Sequence, residues 1–410
     1  MESSTEIILV SISGADRPGV TAALTKILAD NNASILDMGQ ANIHHTLSLG
    51  IMFEAQSTDS GEIMKNLLFK SSELGVNIRF KPISKTQYEE WVSLQGKNKF
   101  IITILGRKLA AGQISAVTDI VLRHNLNIEK IVRLSARVSL YRTDRPNNSC
   151  IELSVRGVDL NIEEMRREFL ELSSKLEIDI ALQEDNIYRR MRRLICFDMD
   201  STLIQTEVID ELADRAGVGA EVRAITESAM RGEIDFQESF IRRVGLLKGL
   251  DESVMKEIAE NLPITEGMTR LIRVLKKSGY KIAILSGGFT YFGNYLKEKY
   301  GIDYVYANEL EIVDGKLTGK HLGDIVDGRR KAELLRLIAQ VEKVDIRQTV
   351  AVGDGANDLP MLEVAGLGIA FHAKPKVKQN ARQSLSTVGL DGILYFLGYK
   401  DSMLVNDWLN

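Results

Sequence analysis

Over residues 193–410, four short apolar runs alternate with stretches of helical periodicity: Leu194–Phe197, Lys281–Leu285, Tyr304–Ala307 and Thr349–Val352. That alternation predicts an α/β domain built on a parallel, doubly wound sheet. Three of the runs lead directly into polar loops. These are Asp198-Met199-Asp200-Ser201-Thr202-Leu203, Ser286-Gly287-Gly288, and Gly353-Asp354-Gly355-Ala356-Asn357-Asp358. Ligands of open α/β sheets sit at the carboxyl ends of the strands, so the three loops should meet in one crevice. Between the first two strands, residues 207–277 carry no strand signal and are rich in Glu, Arg, Ala and Leu. This stretch predicts a helical insertion, a cap.

Carboxylates crowded into one crevice repel each other unless a cation joins them. Asp198, Asp200 and Asp354 are hard oxygen donors with no Cys or His beside them, a set that suits Mg²⁺ better than Zn²⁺. A phosphate ester would find its requirements here. It needs a carboxylate nucleophile, a divalent cation, a second cation and hydrogen-bond donors for the phosphoryl oxygens. Asp198, Mg²⁺, Lys331, Ser286 and Gly287 fit those places. Asp200, two residues beyond Asp198, is placed to protonate the leaving alkoxide and then to activate water.

These motifs, in this order, resemble those of the haloacid dehalogenase superfamily of phosphatases. Within it, the stretch from Leu194 to Gly398 is similar to the phosphoserine phosphatases, including Met230-Arg-Gly-Glu-Ile-Asp-Phe236 and Leu285-Ser-Gly-Gly-Phe289. The resemblance implies a haloacid dehalogenase-like domain with a helical cap. It also implies Mg²⁺-dependent hydrolysis of O-phospho-L-serine through an aspartyl-phosphate, the last step of serine biosynthesis. Glu207 is then expected to pair with the substrate ammonium and Arg243 with its carboxylate, for which a guanidinium can serve bidentately. Asn357 would orient the phosphate end, and Asp358 would stand behind the metal ligands as a hydrogen-bond acceptor or through water. Two alternatives share the motifs. One is a related small-molecule phosphatase, or a phosphotransferase that passes the phosphoryl group to a small alcohol such as homoserine. The other is an amino-acid sensor with an inactive catalytic domain, against which the intact Asp198, Asp200, Lys331 and Asp354 argue.

The first 184 residues carry the order β-α-β-β-α-β twice, over residues 5–84 and 99–184, with 85–98 as connector. Each copy has the split βαβ order of a ferredoxin-like α+β sandwich. Both units resemble ACT domains, which bind amino acids in metabolic enzymes. In the first, Gly14-Ala-Asp16-Arg17-Pro18-Gly19 looks like the ligand loop, with Asp16 as cap of the following helix. The second reads Leu105-Gly106-Arg107-Lys108-Leu109-Ala110-Ala111-Gly112 at that place, without the Asp-Arg-Pro-Gly core. By resemblance, serine is the expected effector and a homodimer the expected assembly.

A net charge of -4 gives no electrostatic ground for nucleic-acid binding. The basic run Arg189-Arg190-Met191-Arg192-Arg193 reads as a solvated linker leading into a strand. Cys150 and Cys196 lie in apolar runs and read as buried thiols. No signal peptide or membrane-spanning apolar run is visible, so the expected location is cytoplasmic.

Overall fold

The computed structural model describes residues 4–95, 99–137, 139, 141, 148–157 and 160–404. The chain forms two compact units, Met1–Gly96 and Lys97–Asn410. In the first, strands Thr5–Ala15, Ser34–Ile43, Thr46–Gln56 and Val76–Ile83 make one antiparallel sheet in the order second-third-first-fourth. Helices Val20–Asp30 and Ser60–Leu74 cover one face. The third strand shows why: Leu47, Leu49, Ile51, Phe53 and Ala55 alternate inward and pack on Leu24, Leu28, Ile63 and Leu67.

Asp16 does not cap the first helix. The cap is Gly19 at φ 95°, a conformation that favours glycine, and Asp16 instead accepts a hydrogen bond from the Asn42 side chain. The connector also differs from expectation, because Lys85–Ser93 is a helix. Its start is a capping box: Ser84 Oγ accepts the Gln87 N–H at 3.1 Å, and Gln87 Oε1 accepts the Ser84 N–H at 3.0 Å. Residues 96–98 of the connector lie outside the described residues.

The second unit begins with the other β-α-β-β-α-β block. Its strands are Lys99–Gly106, Asn127–Arg133, Ser149–Arg156 and Asp179–Glu184, with helices Ala111–Arg123 and Ile162–Leu176. The second of these strands stops at Arg133, and beyond it the Ser135 hydroxyl accepts the Cys150 N–H at 3.0 Å. This block is fused to the catalytic sheet. Asp179, 2% exposed, accepts the N–H groups of Ser386 and Thr387 at 2.7 and 2.9 Å. The Gln383 side chain bonds both the N–H and the C=O of Leu182, at 3.1 and 2.6 Å. Leu105 and Cys150 belong to the same apolar cluster as Phe197 and Ile393. Both cysteines are free and buried.

The basic run is not a solvated linker. Arg189 is 7% and Arg192 4% exposed. Arg189 pairs with Glu152 at 2.6 Å, and Arg192 donates to Gln183 Oε1 at 2.9 Å. Burial of the joint between the two blocks carries these side chains in with it.

The catalytic sheet has seven strands in the order Lys316–Leu322, Tyr304–Val313, Lys281–Phe289, Leu194–Phe197, Thr349–Gly353, Leu367–Phe371, Gln383–Leu385. All are parallel except the outermost, which turns back antiparallel on its neighbour. Leu194–Phe197 lies between the second and fourth strands that the sequence predicts, so the chain leaves it in opposite directions on its two sides. That reversal opens the crevice at its carboxyl end.

Helices Val208–Ala216, Gly219–Met230, Phe236–Leu246, Ser253–Glu260 and Met268–Lys277 fill the insertion. The last of these packs on the strand Lys281–Phe289. The edge hairpin props up the others: Gly249 N–H donates to Leu317 O at 2.8 Å and Leu317 N–H to Leu250 O at 2.9 Å. Among the described residues, no helix is long and apolar enough to cross a membrane.

Candidate active site

Asp198 is the first residue after its strand, 5% exposed, and its N–H still donates to Val352 O at 2.9 Å. The ladder thus fixes its backbone while the side chain enters the crevice. Ser201 follows at φ 55°, a left-handed conformation that costs about 1–2 kcal/mol for a residue with a side chain. The tight turn is held by the Ser201 N–H on Thr206 O at 3.2 Å and the Ser201 hydroxyl on Glu207 Oε1 at 2.7 Å. Asp200, 8% exposed, therefore folds back, and its Oδ1 accepts the Val208 N–H at 3.1 Å. Its other oxygen lies against Gly288, where any β-carbon would collide with it.

Lys331, wholly buried near the start of helix Gly328–Val341, reaches Asp198 Oδ1 at 2.8 Å and Asp358 Oδ1 at 2.7 Å. Burial alone would lower its pKa, but Asp198 and Asp358 outweigh that and hold it above its ordinary value. Ser286 is fully buried and its hydroxyl accepts the Gly288 N–H at 2.9 Å. Asn308 pins the same loop, donating to Gly287 O at 2.8 Å while accepting the Val326 N–H at 2.8 Å. A β-carbon at Gly287 would sit 2.9 Å from the Phe236 ring, so the cap touches the catalytic loop there.

Asp198, Asp354 and Asp358 offer oxygens that all lie within 4.8 Å of one another, and such a group can hold a metal ion. The Asp200 side chain is not in that group. Its Oδ1 accepts the Val208 N–H, and Asp358, expected to stand behind the metal ligands, offers the third oxygen of the group. Electrostatics agree that the cluster wants a cation. Burial and repulsion from Asp358 and Asp354 push Asp198 well above the usual carboxylate range, although Lys331 pulls it down. Burial, Asp358 and Glu207 push Asp354 up to about 7, with the Thr202 hydroxyl donating to it at 3.2 Å. Burial, Glu207 and Asp198 also push Asp200 well above the usual carboxylate range.

A pH dependence follows. Asp354 has a higher pKa folded than unfolded, so the folded chain binds the extra proton. Its stabilising share is complete below the ordinary carboxylate pKa and is lost as pH rises through about 7. Urea unfolding with EDTA should therefore show lower stability at pH 8 than at pH 5. Added divalent cation should reverse the difference and release protons on binding. An EDTA-treated chain equally stable at both values would refute the clustering.

Glu207 and Arg243 stand at the cap side. Glu207 is exposed and holds only the Ser201 hydroxyl. Arg243 is half-buried, with Nε on Ser239 O at 3.3 Å and Nη1 on the Thr226 hydroxyl at 3.5 Å. Burial lowers its pKa, opposed by Glu207, Asp210 and Asp200, which places all three carboxylates within its field. The Asn357 carbonyl abuts Gly328, on the same helix start as Lys331. The roles of Thr202, Ser201 and Asn308 were not drawn from the sequence. The first two adjoin the Asp-x-Asp motif and were open to suspicion; Asn308 carries no signal. Asp16 and Gly19 belong to the first unit.

Residues 195–363 match the family of haloacid dehalogenase-like hydrolases, and residues 6–81 match the ACT domain. A phosphoserine phosphatase of Streptomyces coelicolor is 38% identical over 397 residues, covering 95% of this chain and 92% of its own. One from Archaeoglobus fulgidus is 41% identical, covering 84% of this chain and 95% of its own. Among solved structures, an unliganded probable phosphoserine phosphatase from Vibrio cholerae aligns with a TM-score of 0.57 at 36% identity, over 76% of this chain and 89% of that one. A HAD-family hydrolase from Salmonella enterica aligns at 0.63 and 31% identity, over 72% of this chain and 98% of that one. With its buried Asp198, Asp200 and Lys331 at the strand ends and relatives aligned along nearly its whole length, the chain belongs to the phosphoserine phosphatase family of haloacid dehalogenase-like hydrolases.

Proposed function

We propose that the chain hydrolyses O-phospho-L-serine to serine and phosphate, with Mg²⁺ held at Asp198, Asp354 and Asp358. The carrying observation is the convergence of Asp198, Asp200, Lys331 and Ser286 in a chain that aligns end to end with phosphoserine phosphatases. Asp198 attacks phosphorus with the oxygen that Lys331 leaves free. An aspartyl O–P bond forms as the P–O bond to serine breaks, and Asp200 delivers its proton to the departing serine oxygen. Asp200, now a carboxylate, takes a proton from water. The water oxygen attacks phosphorus, phosphate leaves, and Asp198 is regenerated. Lys331, the Ser286 hydroxyl and the Gly287 N–H donate to the phosphoryl oxygens. The cation supplies further neutralisation of phosphoryl charge. Asn357 orients the phosphate end.

Glu207 takes the substrate ammonium and Arg243 its carboxylate, and Phe236 against Gly287 closes the pocket. Arg243→Ala should cut kcat/KM for phosphoserine by about 30- to 1000-fold through a raised KM, the size expected for a lost charge pair. It should leave p-nitrophenyl phosphate, which has no carboxylate, within a few-fold. Equal losses on both substrates would sink the assignment. The activity itself is tested by phosphate release from phosphoserine with Mg²⁺ against EDTA, with and without homoserine. Release that homoserine leaves unchanged supports the hydrolase; phosphohomoserine formation would make the chain a transferase; no turnover in either case would favour the sensor reading.

The first unit's ACT match supports binding of a small molecule, and we assign it serine as effector at the Asp16–Gly19 loop. Its edge strand Ser34–Ile43 exposes Ile35, Met38 and Ile43 (the last 78% exposed), which supports a homodimer through that edge. Reduced, buried Cys150 and Cys196 support a cytoplasmic location.

A further inference from the structure

The cap helices of residues 208–260 join the catalytic domain by two chain crossings, outward over residues 203–206 and back over 262–267. The crossings pair with each other. The Gln205 N–H donates to Pro263 O at 2.8 Å, the Thr265 N–H to Leu203 O at 3.0 Å, and Ile204 and Ile264 form an antiparallel bridge. So short a ribbon has little stability of its own, and its placement depends on what grips its ends. The outward end is held by the catalytic turn, where Met199 O accepts the N–H groups of Thr202, Leu203 and Ile204 at 3.3, 2.9 and 3.2 Å. The return end reaches Glu266, whose C=O accepts the Leu390 N–H at 2.8 Å, and then Gly267 at φ 78°.

The Glu266 side chain is gripped from outside the catalytic domain. Arg107, in the second ferredoxin-like block, holds its carboxylate bidentately, Nη1 on Oε1 at 2.8 Å and Nη2 on Oε2 at 2.5 Å, with Nε on Thr387 O at 3.1 Å. Thr387 is tied to the same block by its N–H on Asp179 at 2.9 Å. An exposed ion pair contributes little unless it is bidentate or part of a network, and this one is both. The Arg107 guanidinium is also the largest influence holding Glu266 below the usual carboxylate range. Beyond Gly267 the chain is held to the block again. Arg270 pairs with Asp391 at 2.6 Å and with Asp401 at 2.8 Å, and Asp401 accepts the Ala136 N–H at 2.6 Å. The second block therefore grips the chain on both sides of Gly267.

We propose that Arg107 is a positioning residue of the phosphatase reaction: by holding Glu266 it sets the root of the cap, and with it where Glu207 and Arg243 stand over the substrate. This role rests on Glu207 and Arg243 taking the ammonium and carboxylate of phosphoserine, as proposed above. Because the catalytic turn closes on Met199 O by itself, slack at Glu266 passes to the cap rather than to Asp198. Where the first block carries the loop assigned to an effector, the second presents a guanidinium to a carboxylate of its own chain.

Arg107→Met should raise KM for phosphoserine about three- to tenfold, the range between an exposed ion pair and a bidentate charged one, with kcat changed by less than about twofold. p-Nitrophenyl phosphate, which has neither ammonium nor carboxylate, should keep its KM. Amide exchange at Gln205 and Thr265 should quicken while the urea midpoint stays in place. Glu266→Gln should behave alike, and the double variant should be no worse than either single one, the mark of two groups acting as one. An unchanged KM in Arg107→Met, an equal loss on both substrates, or losses that add in the double variant would overturn the proposal. Arg243→Ala, run alongside, separates this failure from that of the underlying reading. A selective Arg243→Ala beside an inert Arg107→Met overturns the role of Arg107 alone, whereas an unselective Arg243→Ala removes the roles of both.

Discussion

Asp198→Asn should abolish phosphate release from phosphoserine, by about 10⁴-fold or more, as removal of a covalent nucleophile does. The change keeps the shape of the side chain, and its oxygen can still accept from Lys331. Folding should survive, because one of the mutually repelling carboxylates becomes neutral. Phosphoserine should still bind, since Glu207, Arg243 and Ser286 are untouched. Rapid-quench assays for the phosphoenzyme and calorimetric titration of substrate check the two halves separately. A variant that still forms an acid-stable phosphoenzyme would remove Asp198 from its role.

Lys331→Met should lose both activity and stability. Among the described residues the ammonium is the only cation bonded to Asp198 and Asp358, and all three groups are buried. Taking away one partner of a buried pair typically costs about 3–5 kcal/mol, because the charges left behind have no compensation. Loss of a donor aimed at developing charge removes about 10²–10³ in kcat as well. Adding Asp358→Asn should recover part of the stability, by removing one stranded charge, without restoring turnover. Urea midpoints beside kcat for the single and double variants resolve this. An unchanged midpoint in Lys331→Met would mean that the triad is not the buried, coupled unit described.

The strands that carry chemistry were legible because each ends at a change of character. Leu194–Phe197 stops where Asp198 begins, and its bounds were read without error. The outer strands were not legible. Leu367–Phe371 is only five residues long and Gln383–Leu385 three, too short to show a period. The site followed the same logic. Sequence spacing brings Asp198 and Asp200 into one loop, but the chain turns at Ser201 and the Asp200 side chain accepts the Val208 N–H, so its carboxylate is not in the group formed by Asp198, Asp354 and Asp358. The Arg189–Arg193 run shows the opposite failure. Charge pattern alone signals solvent, whereas packing of a neighbouring block buries two of its members.

The two ferredoxin-like blocks differ in where their apolar residues are spent. The first closes its own core around Phe53 and Leu24. The second shares part of its apolar set with the catalytic domain. Deleting it would strip Leu105 and Cys150 from the enzyme's main apolar cluster, leave the Ser386 and Thr387 N–H groups without Asp179, and free the Gln383 amide from Leu182. Its Arg107–Gly112 loop is tied down as well, because Arg107 donates to Glu266 Oε1 at 2.8 Å and to Thr387 O at 3.1 Å.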